Sequence, residues 1–257
     1  MIPKHLTGKA LFDFVVKNED LIIHAKKSAI KFADSVFSVP LFVNDKGEMV
    51  SKAELEETDI NPTTIKVVAV ISTSNYYDSH SDVHFAGCWK KSISDNKKKG
   101  FYLLDSHQRD FDKVIAEGCI ATTKTMAWSE LGITLTGTTE ALIFTCLVEK
   151  DRNPFMFDQY LKKYVKQHSI GMRYQKIITC INDEDYHVQK ENWDKYFPQV
   201  ANQDDITNSM FWAVLEGGIV EGSAVLFASN CMTPTIEVSD YEGESTKTQP
   251  TKVTVDE

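Results

Sequence analysis

The sequence predicts an α+β fold, mainly antiparallel β with a few flanking helices, and three observations predict it. Apolar, β-branched runs of strand length recur from residue 65 onward. Only two stretches carry apolar residues at helical spacing. No segment approaches the roughly 18 consecutive apolar residues of a membrane-crossing helix, so the 42% hydrophobic content is available for a core.

Residues 1–62 read as an N-terminal extension. Ala25, Ala29, Ile30 and Ala33 recur at helical spacing with Lys26, Lys27 and Lys31 between them, which predicts an amphipathic helix. Residues 39–43 predict a strand, and Asn44-Asp45-Lys46-Gly47 predicts the turn after it. Glu54, Glu56, Glu57 and Asp59 form an acidic linker to Pro62. The main domain is expected over 63–237. Residues 65–71, 101–104, 114–122 and 142–148 predict strands. Phe157, Tyr160, Leu161, Tyr164 and His168 then follow a helical period, and a strand is expected at once over 169–181. Residues 182–208 are polar and acidic and read as an insertion anchored by Trp193, Tyr196 and Phe197. Apolar strand character resumes over 211–228, and residues 238–257 lack any core-forming pattern, which predicts a flexible tail.

A net charge of −9 argues against a nucleic-acid backbone as the main partner. Residues 1–5 do not lead into an apolar run ending in small residues, so no signal peptide and no membrane association are expected. The five cysteines (88, 119, 146, 180 and 231) are odd in number, widely spaced and without a C-x-x-C pair. That pattern predicts buried free thiols rather than disulfides or a zinc site.

Three places could carry chemistry. In His168-Ser169-Ile170-Gly171-Met172-Arg173-Tyr174, period-2 alternation gives Ile170, Met172 and Tyr174 to the core. Ser169, Gly171 and Arg173 are then expected on an open face, a hydroxyl beside a position where a substrate backbone could approach, with a cation for a developing oxyanion. A strand-edge serine and a bulge glycine would look the same. His107 ends the apolar run 101–104, which suits a general base on a rigid support and equally a capped surface histidine. Asp78, His80, Asp82 and His84 alternate, so a divalent-metal hydrolase is a competing reading, although the spacing matches no established metal motif. G-x-S-x-G, Walker A and G-x-G-x-x-G sequences are absent.

In order and context these segments resemble the prohead maturation proteases of tailed bacteriophages, relatives of the herpesvirus assemblins. The segment Asp78-Ser79-His80-Ser81-Asp82-Val83, with Gly87-Cys88-Trp89-Lys90-Lys91-Ser92-Ile93 after it, is similar to the family's "D-x-x-G-D-hydrophobic, then G-aromatic-x-x-S-hydrophobic". Leu103-Leu104-Asp105-Ser106-His107 resembles "L-L-x-x-H", and Ser169-Ile170-Gly171-Met172 resembles "S-I-G-F". Glu221-Gly222-Ser223-Ala224-Val225, followed by Ala228-Ser229-Asn230, resembles "E-V-S-hydrophobic-V, then P-A-N". Ser81 replaces the early Gly, and the Pro before Ala-Asn is missing.

The resemblance covers about residues 65–235 and implies a barrel-like protease core. Ser169 would be the nucleophile, His107 the base, and Glu221, by its place in the last motif, the group that orients the imidazole, with Glu216 and Glu140 as rivals. No cofactor and no metal are expected. The implied activity is a serine endopeptidase that cleaves the phage's major capsid protein and scaffold protein inside the immature prohead, in the host cytoplasm. Autoprocessing and homo-oligomer formation would accompany it. A non-catalytic head-assembly protein that retains the fold is the alternative from another class.

Overall fold

A computed structural model describes residues 2–32, 62–206 and 208–241. The expected strand over 39–43, the acidic linker and most of the expected tail lie outside the described residues.

The fold is α+β, a mixed and mostly antiparallel open sheet with a few helices. The chain opens with α1 (Gly8–Lys17), α2 (Glu19–Ser28) and the short β1 (Lys31–Phe32). Then follow β2 (Thr64–Thr73), β3 (Asp82–His84), α3 (Lys90–Asn96), β4 (Phe101–Asp105), β5 (Val114–Ala127) and β6 (Thr138–Glu149). The remaining elements are α4 (Pro154–Leu161), β7 (Gln167–Ile181), α5 (His187–Tyr196), β8 (Met210–Val225) and β9 (Thr235–Asp240). Strand order is β1-β7-β8-β4-β5-β6-β2-β9. Two pairings are parallel, both on the same edge of β8: β3 beside residues 212–214, and β4 beside residues 222–224. The sheet curls. Val70 N donates to Pro234 O at 3.0 Å, and His168 N donates to Thr233 O at 3.1 Å, so the segment before β9 links β2 to the start of β7.

Strands form where β-branched and apolar residues alternate or run together. Ile65, Val67, Ala69 and Ile71 of β2 and Leu142, Phe144, Cys146 and Val148 of β6 are all buried in one core. That core also takes Leu11, Phe12 and Val15 from α1, so the start of the chain is packed into the domain. The helix expected around 25–33 stops at Ser28. Ala29 is already extended, and Lys31 and Phe32 pair with Met172 and Gly171 of β7. Strand pairing and the ion pairs of Lys31 override the local period there.

Within 182–208, α5 and the turns after it carry the expected aromatic anchors. Trp193 is buried, stacked on Phe197 at 4.4 Å and packed on Phe211 at 5.3 Å. β9 extends ordered pairing with β2 through Asp240, beyond the expected start of the tail at 238.

The cysteine expectation is corrected in part. Cys119 and Cys146 are joined by a disulfide, with Cα atoms 4.5 Å apart. The neighbouring pair Ile120↔Thr145 shows that the β5–β6 register sets these two cysteines directly opposite one another. A separation of 27 residues hides this until the register is fixed. Cys88 and Cys180 are buried free thiols, and Cys231 is a half-buried one.

Candidate active site

β8 carries the centre of the site. Residues opposite each other in an antiparallel pair share a face, and Ser169 lies opposite Ser223 while Gly171 lies opposite Glu221. Period-2 alternation along β8 keeps Glu221 and Ser223 on that same face. β4 runs along the other edge, with Leu104 beside Ser223 and Asp105 beside Ala224. The chain then leaves β4 through Ser106 and His107, both in the left-handed region (φ 53° and 59°). This corner turns His107 back over the sheet. Its Nδ1 lies 2.7 Å from Glu221 Oε1, with both side chains about 95% buried. A carboxylate only accepts, so Nδ1 carries the proton and Nε2 is the basic nitrogen of the ring. Ser223 Oγ donates to Glu221 Oε2 at 2.6 Å, and His107 N donates to Ser223 Oγ at 3.1 Å.

His107, Ser169 and Glu221 are thus placed on three adjacent strands or strand ends, around one strand pair. The rival carboxylates are elsewhere. Glu140 Oε1 accepts from Gly87 N at 2.7 Å, and Glu216 is ion-paired with Lys91 at 3.3 Å.

One expectation about β7 is corrected. The face holding Ser169 and Gly171 is not open: Ser169 is 2% exposed, and Gly171 is buried. At Gly171 the covering group is the Glu221 carboxylate, into which a Cβ on residue 171 would run. The missing side chain therefore makes room for Glu221 instead of for a substrate backbone. Arg173 is exposed, but four residues of extended strand separate it from Ser169 by ~13 Å.

His168, next to Ser169, points into the opposite side and is fully buried. Tyr160 Oη lies 2.9 Å from its Nε2, and its Nδ1 is 3.3 Å from Thr233 O. Thr233 Oγ1 also donates to His168 O at 2.5 Å, so the residue before Ser169 is clamped to the segment that precedes β9.

The Asp78–His84 stretch does not converge on a common point. Asp78 Oδ2 and Asp82 Oδ2 each accept from the buried Lys31 Nζ at 2.7 Å, and Lys26 Nζ reaches Asp82 Oδ1 at 3.0 Å. Tyr174 Oη also donates to Asp82. His84 Nδ1 lies 2.9 Å from Ser72 Oγ, and His80 is exposed. With its carboxylates used by lysines, the stretch organises the N-terminal segment against β7 and β8. Among the described residues no group of three or more His, Cys, Asp or Glu side chains is arranged to hold a metal. Burial would lower the Lys31 ammonium, but Asp78 and Asp82 outweigh it and hold it raised. Burial likewise pushes Asp82 up, and Lys31 and Lys26 pull it down further than that. Ser81, which stands where the resembled motif has Gly, adopts φ 60°, the left-handed conformation that Gly most readily takes. Its Oγ accepts from Tyr77 Oη at 2.9 Å.

Two buried imidazoles make stability sensitive to acid. Burial lowers His168 to about 4, and burial with Lys31 nearby lowers His84 to about 4. Below about pH 6.5 the unfolded chain takes up a proton at each. The folded protein does not until about pH 4. Stability is therefore lost as pH falls through that window, at up to about 1.4 kcal/mol per pH unit for each histidine. Thermal melting should show a midpoint several degrees lower at pH 5 than at pH 7.5, and His168→Gln should flatten that dependence.

No protein-family model, curated protein or solved structure matches this chain.

Proposed function

We propose that the chain is a serine endopeptidase of the prohead-maturation kind, with Ser169 as nucleophile, His107 as general base and Glu221 as the carboxylate that orients it. The observation that carries the proposal is the buried His107 Nδ1–Glu221 Oε1 contact of 2.7 Å on the strand pair that sets Ser169 opposite Ser223. Glu221 holds the ring in the tautomer that leaves Nε2 basic, as an orienting carboxylate must. Nε2 takes the proton of Ser169 Oγ as Oγ bonds to the scissile carbonyl carbon. The imidazolium then protonates the leaving amine as the C–N bond breaks, and water releases the acyl group by the same steps in reverse. The bonds that link β2 to the start of β7 support the barrel-like core this reading implies. Its substrates would be the scaffold and major capsid proteins of the same phage, with processing of its own exposed segments, inside the immature head in the host cytoplasm.

One observation favours a second reading. Ser169 and His107 are 2% and 9% exposed, so the site is closed to a polypeptide in this conformation. A non-catalytic head-assembly protein that keeps the fold would have the same closed site, as would an enzyme awaiting an activating step. A serine-reactive fluorophosphonate, followed by peptide mapping, separates them. Stoichiometric modification of Ser169 that disappears in His107→Ala is expected. Absence of modification after incubation with the capsid and scaffold proteins would favour the assembly role.

A further inference from the structure

We infer that Ser223 is a positioning residue of this site, holding the His107–Glu221 pair in working geometry through a single hydroxyl. The inference rests on the protease reading for its kinetic consequence, but its geometric content stands apart from it.

Ser223 is fully buried and faces Ser169 across the β7–β8 pair. Its hydroxyl proton is donated to Glu221 Oε2 at 2.6 Å, which leaves Oε1 turned to His107 Nδ1. Its oxygen accepts from His107 N at 3.1 Å. One side chain therefore fixes both members of the pair, the acid by its carboxylate and the base by its backbone. The backbone contact matters because Ser106 and His107 are consecutive left-handed non-glycine residues, a conformation that persists only where the surroundings impose it. Two bonds to β8 impose it here: Ser106 N to Ala224 O at 2.9 Å, and His107 N to Ser223 Oγ. Without the second, the backbone of His107 loses its bond to β8. The same contacts exclude Ser223 as a substitute nucleophile, since its proton is already committed to a carboxylate and not to an imidazole.

The test compares wild type, Ser223→Ala and Ser223→Thr by peptide hydrolysis and by proton NMR of the His107 Nδ1–H, which resonates far downfield when donated to a carboxylate. In Ser223→Ala, kcat should fall by roughly 100-fold with KM nearly unchanged, the scale of a misplaced catalytic group. The Nδ1–H resonance should move upfield or be lost to exchange, and Ser223→Thr should recover much of both. An unchanged kcat, or a loss of activity with the resonance unmoved, would overturn the inference. Should wild type hydrolyse no peptide, the resonance alone decides the positioning role while the protease reading fails separately. If Ser223→Ala does not fold, Ser223→Cys, similar in shape and a weaker donor, is compared in the same way.

Discussion

Alanine at position 169 should lower peptide-bond hydrolysis by roughly a millionfold, the scale on which serine hydrolases lose activity when the nucleophile is removed. The structure makes this substitution a clean one. Ser169 pairs through its backbone with Ser223 in a continuous antiparallel ladder, and loss of one hydroxyl leaves β7 and the Tyr160–His168–Thr233 contacts intact. Melting temperature should therefore change little while activity collapses. Ser223 cannot take over, because its hydroxyl is bonded to Glu221. Intact-mass analysis of wild type and Ser169→Ala, each incubated with scaffold and capsid proteins, measures the outcome. Equal cleavage by both would place the nucleophile elsewhere.

Replacing Lys31 by methionine should cost about 3–5 kcal/mol of stability, because it strands two carboxylates in the interior. Asp78 and Asp82 are 3% and 0% exposed at their side chains, and Lys31 Nζ lies 2.7 Å from both. Lys26 compensates only at Asp82, from a position that is 22% exposed. In a chain of this size such a loss lowers the melting midpoint by about 10 °C. Lys26→Met should cost much less. Adding Asp78→Asn to Lys31→Met should restore part of the loss, since an amide is far cheaper to bury than an unpaired charge. Calorimetry of the three variants checks the order. Equal melting of wild type and Lys31→Met would show that the network is solvated and contributes little.

Much of the sheet is legible in the sequence because its strands are long, β-branched and apolar. β2, β4, β6 and β7 match runs at 65–71, 101–104, 142–148 and 169–181 to within a few residues. The short or polar elements are not legible. β3 spans three residues of a polar stretch and exists because β8 offers an edge, and α3 begins with two lysines and buries only Ser92. The anchor Lys31 looks in sequence like the exposed Lys27, since burial of a lysine shows only once two carboxylates are brought to it. Likewise Glu140, Glu216 and Glu221 are alike as strand carboxylates. Only register separates the one that meets His107 from the one that caps Gly87 N and the one paired with Lys91. Ser223 had a signal that the sequence reading did not use. It stands two residues after Glu221, and strand alternation puts any such residue on the face of its neighbour.

The parallel pairing of β4 with β8 has a temporal consequence. His107 is bonded to residues 114 and 116 positions away, Glu221 and Ser223. Contacts of such separation close the largest loops and are the slowest to form. A nascent chain emerging from the ribosome would carry His107 and Ser169 for another fifty or so residues before Glu221, which meets His107, is made. The topology thus leaves the cluster around His107 unmade in the growing polypeptide, and it closes only when the last long strand is laid beside the others.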